Sequence, residues 1–85
     1  GRGVNESDET AFSIYPNPVR EDLNINCMDA KEIRLFNPFG VLVRAINTGG
    51  KDNIQIDMSG LPCGTYILQT VIGQHLVTRK VVKTE

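Results

Sequence analysis

Tryptophan is absent from this chain, histidine occurs once, and cysteine twice, at Cys27 and Cys63. Two thiols are too few for the disulfide framework of a small secreted miniprotein, and they lack the paired spacing of a zinc site. They read either as two unpaired thiols or as one bond joining the end of an early strand to the entrance of a later one. Sequence does not place their Cα atoms, so both readings stand at this point. His75 has no Cys, Asp or Glu at ligand spacing and reads as a solvated or edge histidine.

No sign of charge dominates either. Lys plus Arg total 9 against 10 for Asp plus Glu, a formal net charge of -1, and no aromatic residues are interleaved with the basic ones. That balance argues against a phosphate-tracking surface, so no nucleic-acid partner is expected. No apolar run approaches the roughly 20 residues that cross a bilayer as a helix, so no membrane-spanning segment is expected. The start, Gly1-Arg2-Gly3-Val4, has no charged-then-apolar signal pattern and reads as the middle of a longer protein, with any export signal upstream. The nucleophile elbow, the phosphate-binding loop and the paired-histidine zinc motif are missing, and with them the usual enzyme signatures. The expectation is no catalytic residue, no cofactor and no metal. Asp52 and Asp57 flank a strand with too few oxygens around them for calcium, and Glu6, Asp8 and Glu9 read as a solubilising run.

What remains is an ordinary globular composition, 40% hydrophobic and 22% charged over 85 residues, enough for one domain of modest stability. Residues 1 to 11 are polar and patternless and read as a linker; residues 12 to 85 form the domain. Phe12-Ser13-Ile14-Tyr15 alternates into Pro16-Asn17-Pro18-Val19, where two prolines remove two backbone donors. That segment has to lie on a sheet edge or cross between sheets. Asp22 to Cys27 alternates with Leu23, Ile25 and Cys27 on one side. Lys31 to Phe36 and Gly40 to Ile46 flank Asn37-Pro38-Phe39 as a hairpin, and Asn53 to Asp57 alternates again.

Leu61-Pro62-Cys63-Gly64-Thr65-Tyr66-Ile67-Leu68-Gln69-Thr70-Val71 follows as the central strand, with Tyr66, Leu68 and Thr70 on one face and apolar bulk expected on both. The last strand, Gln74 to Lys83, pairs with it across Ile72-Gly73. Arg79, Lys80 and Lys83 give it a basic cast that suits either a solvated edge or a strand able to add to another sheet. No segment carries ten residues of helical periodicity. About seven mostly antiparallel strands at this spacing predict an all-β chain, an immunoglobulin-like β-sandwich.

The order of these motifs matters more than any one of them. Tyr15-Pro16-Asn17-Pro18-Val19, then Leu23-Asn24-Ile25, Ile33 to Asn37 with Gly40 to Val43, Ile56 to Pro62 with Gly64-Thr65-Tyr66, and finally Lys80 to Lys83 resemble the type A C-terminal sorting domain of the type IX secretion system of Bacteroidetes. The resemblance implies a β-sandwich that serves as a folded address and has no activity of its own. It implies an upstream cargo that passes through the periplasm and then the outer-membrane translocon. A sortase-like signal peptidase at the surface then removes the domain, and the cargo is attached to anionic lipopolysaccharide or released. The cut is expected in or beside residues 1 to 11, because a protease needs extended, unpaired backbone.

Carried over by position, the recognition residues are Pro16, Asn17, Pro18, Gly40, Gly64, Tyr66, Lys80, Val81, Val82 and Lys83. Cys63 departs from the small or polar residues common at its place, and Thr84 and Glu85 follow the terminal lysine. A dimer through an edge strand stays open. The alternative function is an accessory β-sandwich module that binds carbohydrate or a protein partner, for which Tyr15, Phe36, Phe39 and Tyr66 are the available aromatics.

Overall fold

The computed structural model describes residues 12–85. The β-branched and alternating stretches become seven strands: β1 (Phe12–Tyr15), β2 (Asp22–Cys27), β3 (Ala30–Phe36), β4 (Leu42–Asn47), β5 (Asn53–Asp57), β6 (Gly64–Ile72) and β7 (His75–Lys83). They form a three-stranded sheet ordered β1-β2-β5 and a four-stranded sheet ordered β4-β3-β6-β7. Every strand pair is antiparallel. The expected all-β sandwich of seven strands is what the chain adopts. β6 is central, paired with β3 on one edge and β7 on the other, and begins at Gly64 because Leu61-Pro62-Cys63 carry the chain between sheets.

The alternation read from the sequence sets the core. Leu23, Ile25 and Cys27 of β2, with Phe12 and Ile56, face Ile33, Leu35, Tyr66, Leu68 and Val81 of the other sheet, and all are buried. One face of β6 (Tyr66, Leu68, Thr70) is buried, while Thr65 and Val71 on its other face are exposed. Apolar bulk on both faces of β6 therefore does not mean burial on both: only the inner face has a sheet over it. Among the described residues no helix forms.

Both cysteines are free, Cys27 buried and Cys63 exposed, so the disulfide alternative is discarded. Burial, with the Asp52 charge adding to it, pushes the Cys27 thiol above its usual value. The basic cast of β7 also needs correction. Strand alternation turns Arg79 and Lys83 to the inner face with Val81, Lys83 buried and Arg79 partly so, and leaves only Lys80 of the three in solvent. Lys83 is buried, its Nζ donating to the Thr84 carbonyl at 2.9 Å, and the Arg79 guanidinium lies 5.5 Å from the centre of the Phe12 ring.

Pro16-Asn17-Pro18, with both X-Pro bonds cis, crosses from β1 of the three-stranded sheet to the edge of β7 in the other. Val19, fully buried, donates its amide to the Val82 carbonyl and accepts from the Thr84 amide, each at 2.8 Å, in a short parallel bridge beside Lys83. This strap seals the β1–β7 flank. The linker expected at residues 1 to 11 lies outside the described residues.

Candidate recognition surface

Register divides the sandwich into two ends. At one end lie Phe12 opposite Cys27, Ala30 opposite Ile72, and the β6–β7 turn. At the other lie Asp22 opposite Asp57, Phe36 opposite Leu42, and Gly64 opposite Lys83. The chain enters the described fold at the first end, and all ten sequence-derived recognition residues gather towards the second. Motifs spread over the whole sequence thus converge in space.

The convergence is direct for the two outermost motifs. Asn17 Nδ2 donates to the Lys80 carbonyl at 3.1 Å, and Asn17 Oδ1 accepts from the Val82 amide at 3.0 Å. A single amide side chain thereby imitates a strand neighbour, using one donor and one acceptor on the outward edge of β7. Prolines on either side of Asn17 have no N–H to compete for those groups. Arg20 Nε adds a bond to the Glu85 carbonyl at 2.6 Å, so the chain end is tied to the strap as well.

Burial splits the candidate residues. Pro16, Asn17, Pro18, Gly40 and Lys80 are exposed and Val82 is partly so; Tyr66, Val81 and Lys83 are buried. Tyr66 sits in the core with its hydroxyl donating to the Pro62 carbonyl at 2.6 Å, the tyrosine-corner arrangement that pins the crossing turn to the head of the strand. An ideal Cβ on Gly64 would stand 3.3 Å from Pro38 Cγ, so Gly64 allows the β3–β4 turn to rest on the start of β6. Gly40, with φ of 83°, takes the left-handed position of that turn.

The turn itself is closely fixed. Asn37 Oδ1 accepts from the Phe39 and Val41 amides at 2.8 and 3.0 Å, the Asn37 amide donates to the Val41 carbonyl, and the Gly40 amide to the Asn37 carbonyl. This holds Phe39, 88% exposed, at the tip. The sorting motifs do not include Phe39, which the sequence offered only as an aromatic for the accessory-module alternative; its place between proline and glycine in a turn, where no core position exists, is the signal of its exposure.

Of the remaining polar groups, the Asp57 carboxyl is held below the usual carboxylate range by the Ser59 hydroxyl and amide, at 2.6 and 2.9 Å, with Arg44 helping. That closes a turn and leaves the aspartate as a cap. Among the described residues no group of three or more metal-ligating side chains assembles. Asp52 lies beside the Cys27 thiol, not beside Asp57.

No curated protein matches the chain. The model of the secretion system C-terminal sorting domain matches residues 13–84, the strap, both sheets and the terminal segment together. The family is one of address domains carried by exported proteins, not of enzymes. The chain therefore belongs to the type IX secretion C-terminal sorting domain family.

Proposed function

We propose that this domain is the folded address of a cargo protein, read by components of the type IX outer-membrane translocon through the exposed part of the strap and tail. The family match over residues 13–84 carries this reading. Pro16, Asn17, Pro18, Lys80 and Val82 supply the surface; Gly40, Gly64, Tyr66, Val81 and Lys83 serve the fold that presents it. On this reading the cargo reaches the periplasm, crosses the outer membrane, and is freed from the domain by a sortase-like protease cutting in or beside residues 1 to 11. It is then attached to anionic lipopolysaccharide or released.

Pairing of two copies through β7 has only part of that edge to use. Asn17 and Val19 take the outward groups of Lys80, Val82 and Thr84, and strand alternation leaves those of Leu76 and Thr78. The accessory-module reading rests on the exposed aromatics Phe39 and Tyr15. Phe39-dependent binding on a glycan array would favour it.

The test is a reporter with an N-terminal export signal fused to residues 1 to 85 and expressed in a type IX-competent host. Delivery to the surface is expected, with Lys80→Glu leaving the reporter in the periplasm. Lys80 is exposed and points away from the core, so its substitution spares the sandwich. A wild-type fusion that stays periplasmic overturns the proposal.

A further inference from the structure

The register of the four-stranded sheet lines up Leu42, Phe36, Ile67 and Lys80 as one row across its outer face, one residue from each of β4, β3, β6 and β7. Thr65 and Val82 form the neighbouring pair. Leu42 is 47% exposed, Phe36 and Ile67 are partly so, and Lys80 ends the row in solvent. A shallow cleft lined by Phe36, Pro38, Thr65, Ile67 and Gln69 runs beside it, and Pro38 and Gly40, the residues on either side of Phe39 in the fixed turn, belong to its lining. Among the described residues nothing covers this face.

Resting on the sorting reading, we propose that this row is the docking face for a translocon component, with Phe39 as the anchor that enters an apolar pocket of that partner and Lys80 meeting an acidic group beside it. Three observations converge. The apolar row is continuous with Lys80 and Val82, the outward residues of the terminal motif, so the linear signal is one border of a wider surface. The Phe39 amide donates to Asn37 Oδ1 and the Gly40 amide to the Asn37 carbonyl, so the backbone that carries the ring is already ordered and burying the ring in a partner costs only side-chain freedom. Lys80 has no carboxylate within ion-pair distance among the described residues, where Arg34–Glu32 is the one salt bridge, which fixes the expected sign of the partner's rim.

The surface offers its own control. Val71 and Leu76 are a cross-strand apolar pair, 51% and 64% exposed, on the same outer face at the opposite end. The reporter fusion is made as wild type, Phe39→Ser, Phe39→Leu and Leu76→Ser, with each isolated domain melted by circular dichroism. We expect wild-type delivery, a drop of about tenfold or more for Phe39→Ser with an unchanged melt, partial recovery for Phe39→Leu, and Leu76→Ser within about twofold of wild type. Equal delivery of Phe39→Ser and wild type overturns the anchor and leaves the address reading intact. Equal loss in Leu76→Ser shows a general response to surface polarity and also overturns it, as does Phe39-dependent glycan binding. A wild-type fusion that is not delivered overturns the address reading, and this inference with it.

Discussion

At the scale of single residues, Tyr66 was legible and its hydroxyl was not. A tyrosine in mid-alternation beside Leu68 and Thr70 has to face a core, but its partner is a carbonyl four residues back in a turn whose path the sequence does not give. The ring and the hydroxyl therefore have separable effects. Tyr66→Phe removes one bond to an exposed turn and is expected to cost about 1 kcal/mol. Tyr66→Ala empties a core position and costs about 3 to 5 kcal/mol by analogy with buried Phe. Urea denaturation of the two variants checks both figures.

Asp57 gives a pH signature of defined sign. Its folded-state pKa is depressed by Ser59, so the stabilisation it brings is fully present above the ordinary carboxylate value of about 3.9 and is lost as pH falls through the lower folded value. Ser59→Ala removes the larger cause. The Asp57 carboxyl is then expected to titrate nearer its ordinary value by NMR. The stability gap between wild type and Ser59→Ala, present at neutral pH, should close in acid; a gap that persists at low pH would show that the serine acts through packing. The cysteines are expected to separate in the same concrete way, with iodoacetamide labelling Cys63 in the native state and sparing Cys27 until the domain is unfolded.

At the scale of elements, strand number, strand positions and the inner face of β2 were readable because alternation of period two is a local signal, whereas the division into β1-β2-β5 and β4-β3-β6-β7 was not. The role of the strap was only half readable. Two prolines excluded Pro16-Asn17-Pro18 from a sheet interior, yet that Asn17 would take the place of a strand beside β7 depends on residues more than sixty positions away. The inward turn of Lys83 was missed for a related reason. Charge at a chain end suggests solvent, whereas alternation from Val81, anchored by the strap, carries Lys83 to the inner face, where its head reaches the Thr84 carbonyl. Asn17→Ala is expected to cost about 1 kcal/mol, since both groups it releases on β7 return to water, and to speed hydrogen exchange at the Val82 amide with little change at Leu68. Uniform acceleration across β6 and β7 would instead mean that Asn17 supports the whole sandwich.

For the whole molecule, the sequence carried the identity of the domain through the order of its motifs, but not the fact that they converge on one end, because convergence arises only when β1 to β7 are folded back on each other. Lys80 and Val82 face outward only while Val81 is held in the core, and Asn17 meets them only across a formed edge. A surface assembled in this way exists only in the folded domain. An 85-residue chain has roughly 4 to 12 kcal/mol of stability, and Leu68→Ala, which opens a cavity beneath β6 without touching the exposed residues, costs about 2 to 5 kcal/mol of it. Delivery of a Leu68→Ala fusion should therefore match wild type at low growth temperature and fall at a temperature lower than for wild type, tracking the melt of each isolated domain by circular dichroism. Delivery that continues undiminished above both melts would mean that the tail is read as a linear peptide, and the converged surface would then be a consequence of folding with no part in export.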